Sequence, residues 1–242
     1  MRLVALALVA LTLTGCESTQ DKAAKLERAA KRHEELATNG AQHGLSITRL
    51  STKVEVVSSS VLNSSEGAAA VVTLRNLSPT PLRNVPIEIA VKSSSGAVSY
   101  TNDAAGLSAG LASVPLVPAH GETTWIDDQV QASGGAASVE AKLGEGEAVK
   151  MALPQLTVQG AHLFEDPTNG LGAEGTLLNH SRVTQKELVL YAVARRGGTI
   201  TAAGRAVLPE APAGASTPFQ IFFIGNPHGG KLEVIAPPST IA

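Results

Sequence analysis

The sequence predicts an all-β protein: two tandem antiparallel sandwiches behind a signal peptide and a short N-terminal helix. Three observations predict it. From Leu45 to the end, runs of Val, Ile, Thr and Ser are broken by Gly, Pro and Asn, and the apolar period is two. A pattern of strand, asparagine turn and second strand occurs twice, about a hundred residues apart. The chain has 242 residues, 43% of them hydrophobic, with a formal charge of −2. That is enough apolar material for one or two cores and too little net charge for a highly charged disordered chain.

Met1-Arg2 is a basic start, residues 3–13 are apolar except for Thr12, and Gly15-Cys16 closes the stretch before Glu17 begins polar sequence. As a helix this run rises ~16 Å, too short for a ~30 Å hydrocarbon core. A basic start, a short apolar run and a small-residue boundary describe a secretory signal peptide over residues 1–15. The ending Leu13-Thr14-Gly15-Cys16 resembles the bacterial lipobox. The resemblance implies that the Cys16 thiol receives a diacylglycerol and that cleavage falls between Gly15 and Cys16. The rival reading is an ordinary signal peptide with a cysteine nearby by chance. The chain's one cysteine stands where the lipobox needs it, which favours lipid attachment. Acyl chains at ~0.8 kcal/mol per buried CH2 then anchor the protein to a membrane. With Glu17 after the cysteine, the resemblance implies the periplasmic face of the outer membrane in a diderm cell, or the outer face of the cell membrane in a monoderm. No later segment approaches the length of a stop-transfer helix.

Residues 17–38 hold Ala, Lys, Glu, Leu and Arg without Gly or Pro, then Asn39-Gly40 supplies a stop, so a spacer helix is expected within 16–43. Strand-like runs follow at 45–57, 67–76, 85–92, 96–101, 111–117, 122–127, 137–142 and 147–153. After Pro154 come 155–164, 172–179, 186–195, 198–208, 217–224 and 230–236. Short strands separated by turn residues at this spacing suit antiparallel sandwiches.

The repeat sets the domain count. Residues 70–78 end in Leu74-Arg75-Asn76-Leu77-Ser78, and residues 173–181 end in Leu177-Leu178-Asn179-His180-Ser181. Each is followed by an apolar strand and then glycine. Pro118-Ala119-His120 and Pro212-Ala213-Gly214 precede the next strand of each copy. The expected domains are 44–153 and 154–242, each the size of an immunoglobulin-like sandwich. This order resembles the Ig-like modules of bacterial surface proteins and lipoproteins, of the CARDB and FxLyD type. That resemblance implies no enzymatic activity. Asn76 and Asn179 each begin an Asn-x-Ser sequon, but asparagine bonding its own turn backbone is the preferred reading.

The absence of a basic surplus excludes a broad nucleic-acid footprint, and a single cysteine excludes an intramolecular disulfide. Six histidines lack chelating spacing within any one element. His162, Glu165 and Asp166, and separately Asp127 with Asp128, are possible cation ligands, but a polar loop fits the first group better and an exposed strand end the second. Nucleophile elbows, Walker loops and dinucleotide fingerprints are missing, and the few aromatics assemble no sugar-stacking face. No catalytic residue, metal or cofactor is expected.

One candidate binding face remains. Val85, Ile87, Ile89 and Val91 point inward. With one deletion the repeat lays this row on Val189, Tyr191 and Val193, which turns Leu188 and Leu190 outward. If Phe219, Ile221 and Phe223 face the core, Phe222 and Ile224 face out. As neighbouring strands of one sheet these would merge Leu188, Leu190, Phe222 and Ile224 into an apolar partner-binding patch. The alternative is that the first domain or the spacer helix covers it. The expected function is a non-enzymatic envelope lipoprotein, a binding or spacer module with an envelope protein as partner. The alternatives are a tethered accessory subunit of a transport or secretion complex, or a hydrolase on a sandwich scaffold.

Overall fold

The computed structural model describes residues 44–65, 67–132 and 135–241. The signal peptide, Cys16 and the expected spacer helix lie outside the described residues. Fifteen strands and one helical turn are present among them. In chain order they are β1 Val54–Ser64, β2 Gly67–Asn76, β3 Leu82–Lys92, β4 Val98–Thr101, α1 Ala109–Ala112, β5 Ser113–Val117, β6 Glu122–Val130, β7 Ser138–Leu143 and β8 Glu147–Ala148. The second half adds β9 Leu156–Asp166, β10 Gly170–Asn179, β11 Gln185–Arg196, β12 Thr199–Ala211, β13 Ser216–Phe222, β14 Ile224–Gly225 and β15 Lys231–Ile235.

The expected all-β class is what forms, and all strand pairs are antiparallel. Sheet order in the first half is β1-β2-β6 for one sheet; in the other, β3 is the centre, flanked by β4 and β5 on one path and paired with β7 and β8. The second half repeats this as β9-β10-β13 and β14-β12-β11-β15. The repeat extends to register. Glu88 faces Lys142 and Lys92 faces Ser138 across β3–β7, while Tyr191 faces Ile235 and Arg195 faces Lys231 across β11–β15.

The Asn-x-Ser corners match bond for bond. Asn76 Nδ2 donates to the Thr80 and Val117 carbonyls, while its Oδ1 accepts from the Ser78 N–H and hydroxyl. Asn179 Nδ2 donates to the Val183 and Ala211 carbonyls, and its Oδ1 accepts from the Ser181 N–H and hydroxyl. Both asparagines are buried, so each satisfies backbone groups that water cannot reach. The turn reading of both sequons holds.

Several elements differ from the sequence expectation: the run 147–153 keeps only Glu147–Ala148 as strand, and 217–224 breaks at Phe223 into β13 and β14. The first strand begins at Val54 rather than Leu45 and runs through Ser58, Ser59 and Ser60, which pair with Thr73, Val72 and Val71 of β2, while the Ser59 hydroxyl donates to the Val139 carbonyl of the facing sheet. The run expected as a strand from residue 111 opens with the α1 turn, whose Leu111 is buried and whose carbonyl accepts from Asn102 Nδ2.

His43–Ala242 forms one compact unit. The junction expected at 153–154 lies in the irregular link between β8 and β9. Buried packing continues across that junction. Ala68 to Leu74 of β2, Thr123 to Asp127 of β6 and Leu188 to Ala194 of β11 are buried without alternation. A strand buried on both faces reads as a continuous run, since neither row meets water. One cluster joins Val71, Val72, Val85, Ile87, Ile89 and Trp125 to Val189, Tyr191, Val193 and Ala203. A second joins Leu188, Leu190, Ala192 and Ala194 to Ala173, Phe219 and Ile221. The sheets therefore stack in four layers: the β3 sheet, β1-β2-β6, the β11 sheet, and β9-β10-β13. The β11 sheet serves as the second wall of its own half and the docking face for the first.

Candidate functional site

The expected apolar patch does not form. Leu188 and Leu190 are fully buried in the second core, not exposed. The reason is register. The spacing from Asn76 to Val85 equals that from Asn179 to Leu188, so no deletion is needed and Leu188, Leu190, Ala192 and Ala194 are the inner row. The opposite row, Val189, Tyr191 and Val193, packs against the first half. β11 and β13 also belong to different sheets. Phe222 is 36% exposed on β13, and Ile224 is half-buried on β14 near Gly67. The four residues are not brought together.

Neither cation cluster assembles. Asp127 is not at an exposed strand end but buried within β6, where it accepts from the Tyr100 hydroxyl at 2.8 Å and from the Gln129 N–H at 2.9 Å. Burial pushes its carboxyl above the usual range against the pull of those two donors. Asp128 instead pairs with Arg205 across the two halves, Nε to Oδ1 at 3.1 Å. Asp166 accepts from the Asn169 and Thr168 N–H groups of its own turn, which lowers its carboxyl. Among the described residues no three potential ligands gather around a common point.

The fold does build a site that no single segment announces. It lies on the outward face of the outermost sheet, β9-β10-β13. Cross-strand pairing puts Phe164, Gly172 and Phe222 in one row. His162, Glu174 and Gln220 form the next, and Gln159, Thr176 and Pro218 the third. A bulge sets the geometry: pairing shifts between Glu174 and Thr176, and Gly160 opposite it takes φ 61°, open to glycine at no steric cost.

In the middle row Gln220 Nε2 donates to Glu174 Oε2 at 3.0 Å, while His162 Nε2 stands 3.1 Å from Oε1. The other imidazole nitrogen lies 2.9 Å from the Gly160 carbonyl oxygen. The carboxylate is thus held in place from both flanking strands. In the first row the Phe164 and Phe222 rings meet edge-to-face, with centroids 5.5 Å apart and planes at 63°. A Cβ on Gly172 would stand 2.5 Å from Phe164 Cε1, so only glycine lets that ring lie over the central strand. A trough of about 550 Å³ opens beside these rows, lined by Gln159, His162, Glu174, Thr176, Pro218 and Gln220 among others.

Chemically the trough sets one carboxylate, two amides, an imidazole and a hydroxyl among the apolar Leu208, Pro218 and Phe219, with an aromatic pair in the adjoining row. The arrangement is suited to holding a ligand. In the sequence His162 reads as part of a polar loop at a strand end, whereas it lies inside β9, and its partners Glu174 and Gln220 come from other strands. The missed signal was the alternation of His162 and Phe164 with Leu163, which puts both on one face.

No protein-family model matches the chain, and comparison with curated proteins finds no match.

Proposed function

We propose that the chain is a membrane-anchored envelope lipoprotein that acts as a non-enzymatic binding or spacer module, holding two Ig-like sandwiches outside the cytoplasmic membrane. The observation that carries this is Leu13-Thr14-Gly15-Cys16 at the end of a signal-peptide pattern, with the chain's single cysteine at the lipid-accepting position. The Ig-like reading is supported by the strand order that both halves share. The binding role is supported by a shaped trough whose mostly apolar lining carries a carboxylate, two amides and an imidazole. The partner is a component of the same envelope.

Mass spectrometry of protein extracted from membranes tests the anchor. The expected N-terminal peptide begins at Cys16 and carries acyl mass. A mature N-terminus elsewhere, or an unmodified Cys16 in protein released without detergent, overturns the reading.

A further inference from the structure

We infer that the trough on the outer face of β9-β10-β13 binds a short neutral oligosaccharide. This names the ligand class of the binding module proposed above; it rests on the binding role and is independent of the lipid anchor.

Sugar hydroxyls donate and accept hydrogen bonds in fixed directions, so a sugar site needs planar groups of both kinds. The trough supplies the Glu174 carboxylate as acceptor and the Gln159 and Gln220 amides as both. The Thr176 hydroxyl and His162 ring add to them. Glu174 is fixed by Gln220 and His162 before any ligand arrives, which lowers the ordering cost of binding. The C–H face of a sugar ring is apolar and rests on aromatic surface. Phe222, 36% exposed and braced by Phe164, stands in the row beside Glu174.

The alternatives fit less well. Recognition of an anionic ligand calls for Arg or Lys, and neither lines the trough. A peptide adding to the sheet would pair along its edge strands β9 or β13, not over the face of β10 where these rows lie. Alternate residues of β10 lie ~7 Å apart, so the three rows span ~14 Å, a length suited to a short linear oligosaccharide on an open sheet face.

The test is calorimetric titration of the mature lipidated protein, held in a non-glycosidic detergent, with three probes: the N-acetylglucosamine tetramer, cellotetraose and maltotetraose. At least one should bind saturably with Kd of about 0.1–1 mM. That affinity should not change with salt, because no net charge is neutralised. Phe222→Ala and Glu174→Ala should each weaken it about tenfold while leaving the thermal midpoint near that of the parent, as both side chains are partly exposed. Absence of saturable binding by all three probes, binding that survives both substitutions, or binding abolished by salt would each overturn the proposal. A failed titration of protein whose Cys16 is shown to be acylated removes the sugar and keeps the anchor. Unmodified Cys16 in protein that still binds does the reverse.

Discussion

Replacing Tyr191 by Phe should make the protein more stable. Tyr191 sits on the row of β11 that faces the first half, and its side chain is 1% exposed. Its hydroxyl has no hydrogen-bond partner. Burial also pushes the phenol well above its ordinary pKa, so the group is neutral and can only be an unsatisfied dipole. Burying a hydroxyl without a partner costs about 1–3 kcal/mol by mutational measures. Phe keeps the ring and loses one oxygen, forfeiting a few tenths of a kcal/mol of dispersion contact. The net gain is about 1–2 kcal/mol, or roughly 2–6 °C in Tm for a unit of this size. Urea unfolding followed by tryptophan fluorescence reads it, because Trp125 is the chain's one tryptophan and is fully buried in the same cluster. Tyr100→Phe is the control of opposite sign. Its hydroxyl donates to Asp127 Oδ2 at 2.8 Å, so its loss should cost about 1–2 kcal/mol. A Tyr191→Phe protein less stable by 1 kcal/mol or more would refute the reasoning. It would place a partner on that hydroxyl, with the equally unpartnered Arg205 Nη1 the first to examine.

Asn76→Ala and Asn179→Ala should each cost about 2–4 kcal/mol by equilibrium denaturation, because each removes four hydrogen bonds from a buried corner. A loss below 1 kcal/mol at either site would mean that the corner is rebuilt without its asparagine. Glu187 holds φ 47° where the first half has Asn84 at φ 50°, so Glu187→Asn should raise stability by about 0.5–1 kcal/mol in the same assay. An unchanged or lower value would show that the left-handed turn is not strained. Asp127, whose carboxyl is raised by burial, binds its proton more readily in the native state. Its contribution to stability is therefore present at low pH and lost as pH rises from the unfolded value near 3.8 through the folded one. Urea midpoints of wild type and Asp127→Asn should diverge over that window, the variant gaining relative stability with rising pH; parallel profiles would refute the shift.

Strand texture and the asparagine corners were legible because both depend on local chemistry. Alternation in Val85, Pro86, Ile87, Glu88, Ile89 and Ala90 marks one buried face, and β3 buries that face. Asn76 and Asn179 bond backbone within five residues of themselves, so the motif carries its own explanation. The trough was not legible. His162, Glu174 and Gln220 stand on three strands, and their meeting depends on the pairing of β10 with β9 and β13 and on the bulge at Gly160. Sequence spacing does not encode that register shift. The aromatic pair was hidden for the same reason: Phe164 and Phe222 meet across Gly172, whose missing side chain is what admits them.

The misassigned row of β11 has a more general cause. A strand with one wet face declares its inner row by alternation, and a single-residue slip would then expose apolar side chains at a visible cost. Leu188, Val189, Leu190, Tyr191, Ala192 and Val193 carry no such mark, because one row fills the second core and the other meets the first half. With both rows apolar, either assignment satisfies the pattern, and only the distance from the asparagine corner separates them. That distance is identical in the two halves, so the duplication contains the information that periodicity lacks. The same comparison explains why the second copy diverges. Glu88 and Lys92 of β3 correspond to Tyr191 and Arg195 of β11. The β3 pair faces outward and forms ion pairs with Lys142 and Glu140. In β11 that position is a docking face, so its central residue has become an aromatic ring buried against β1-β2-β6. Leu190→Glu separates the two assignments directly. Placed outward it would be nearly silent. Placed in the second core, as the structure has it, the substitution buries an unpaired carboxylate and should abolish cooperative unfolding at neutral pH. A Leu190→Glu protein with an unaltered melting transition would return Leu190 to the surface and undo the four-layer stack.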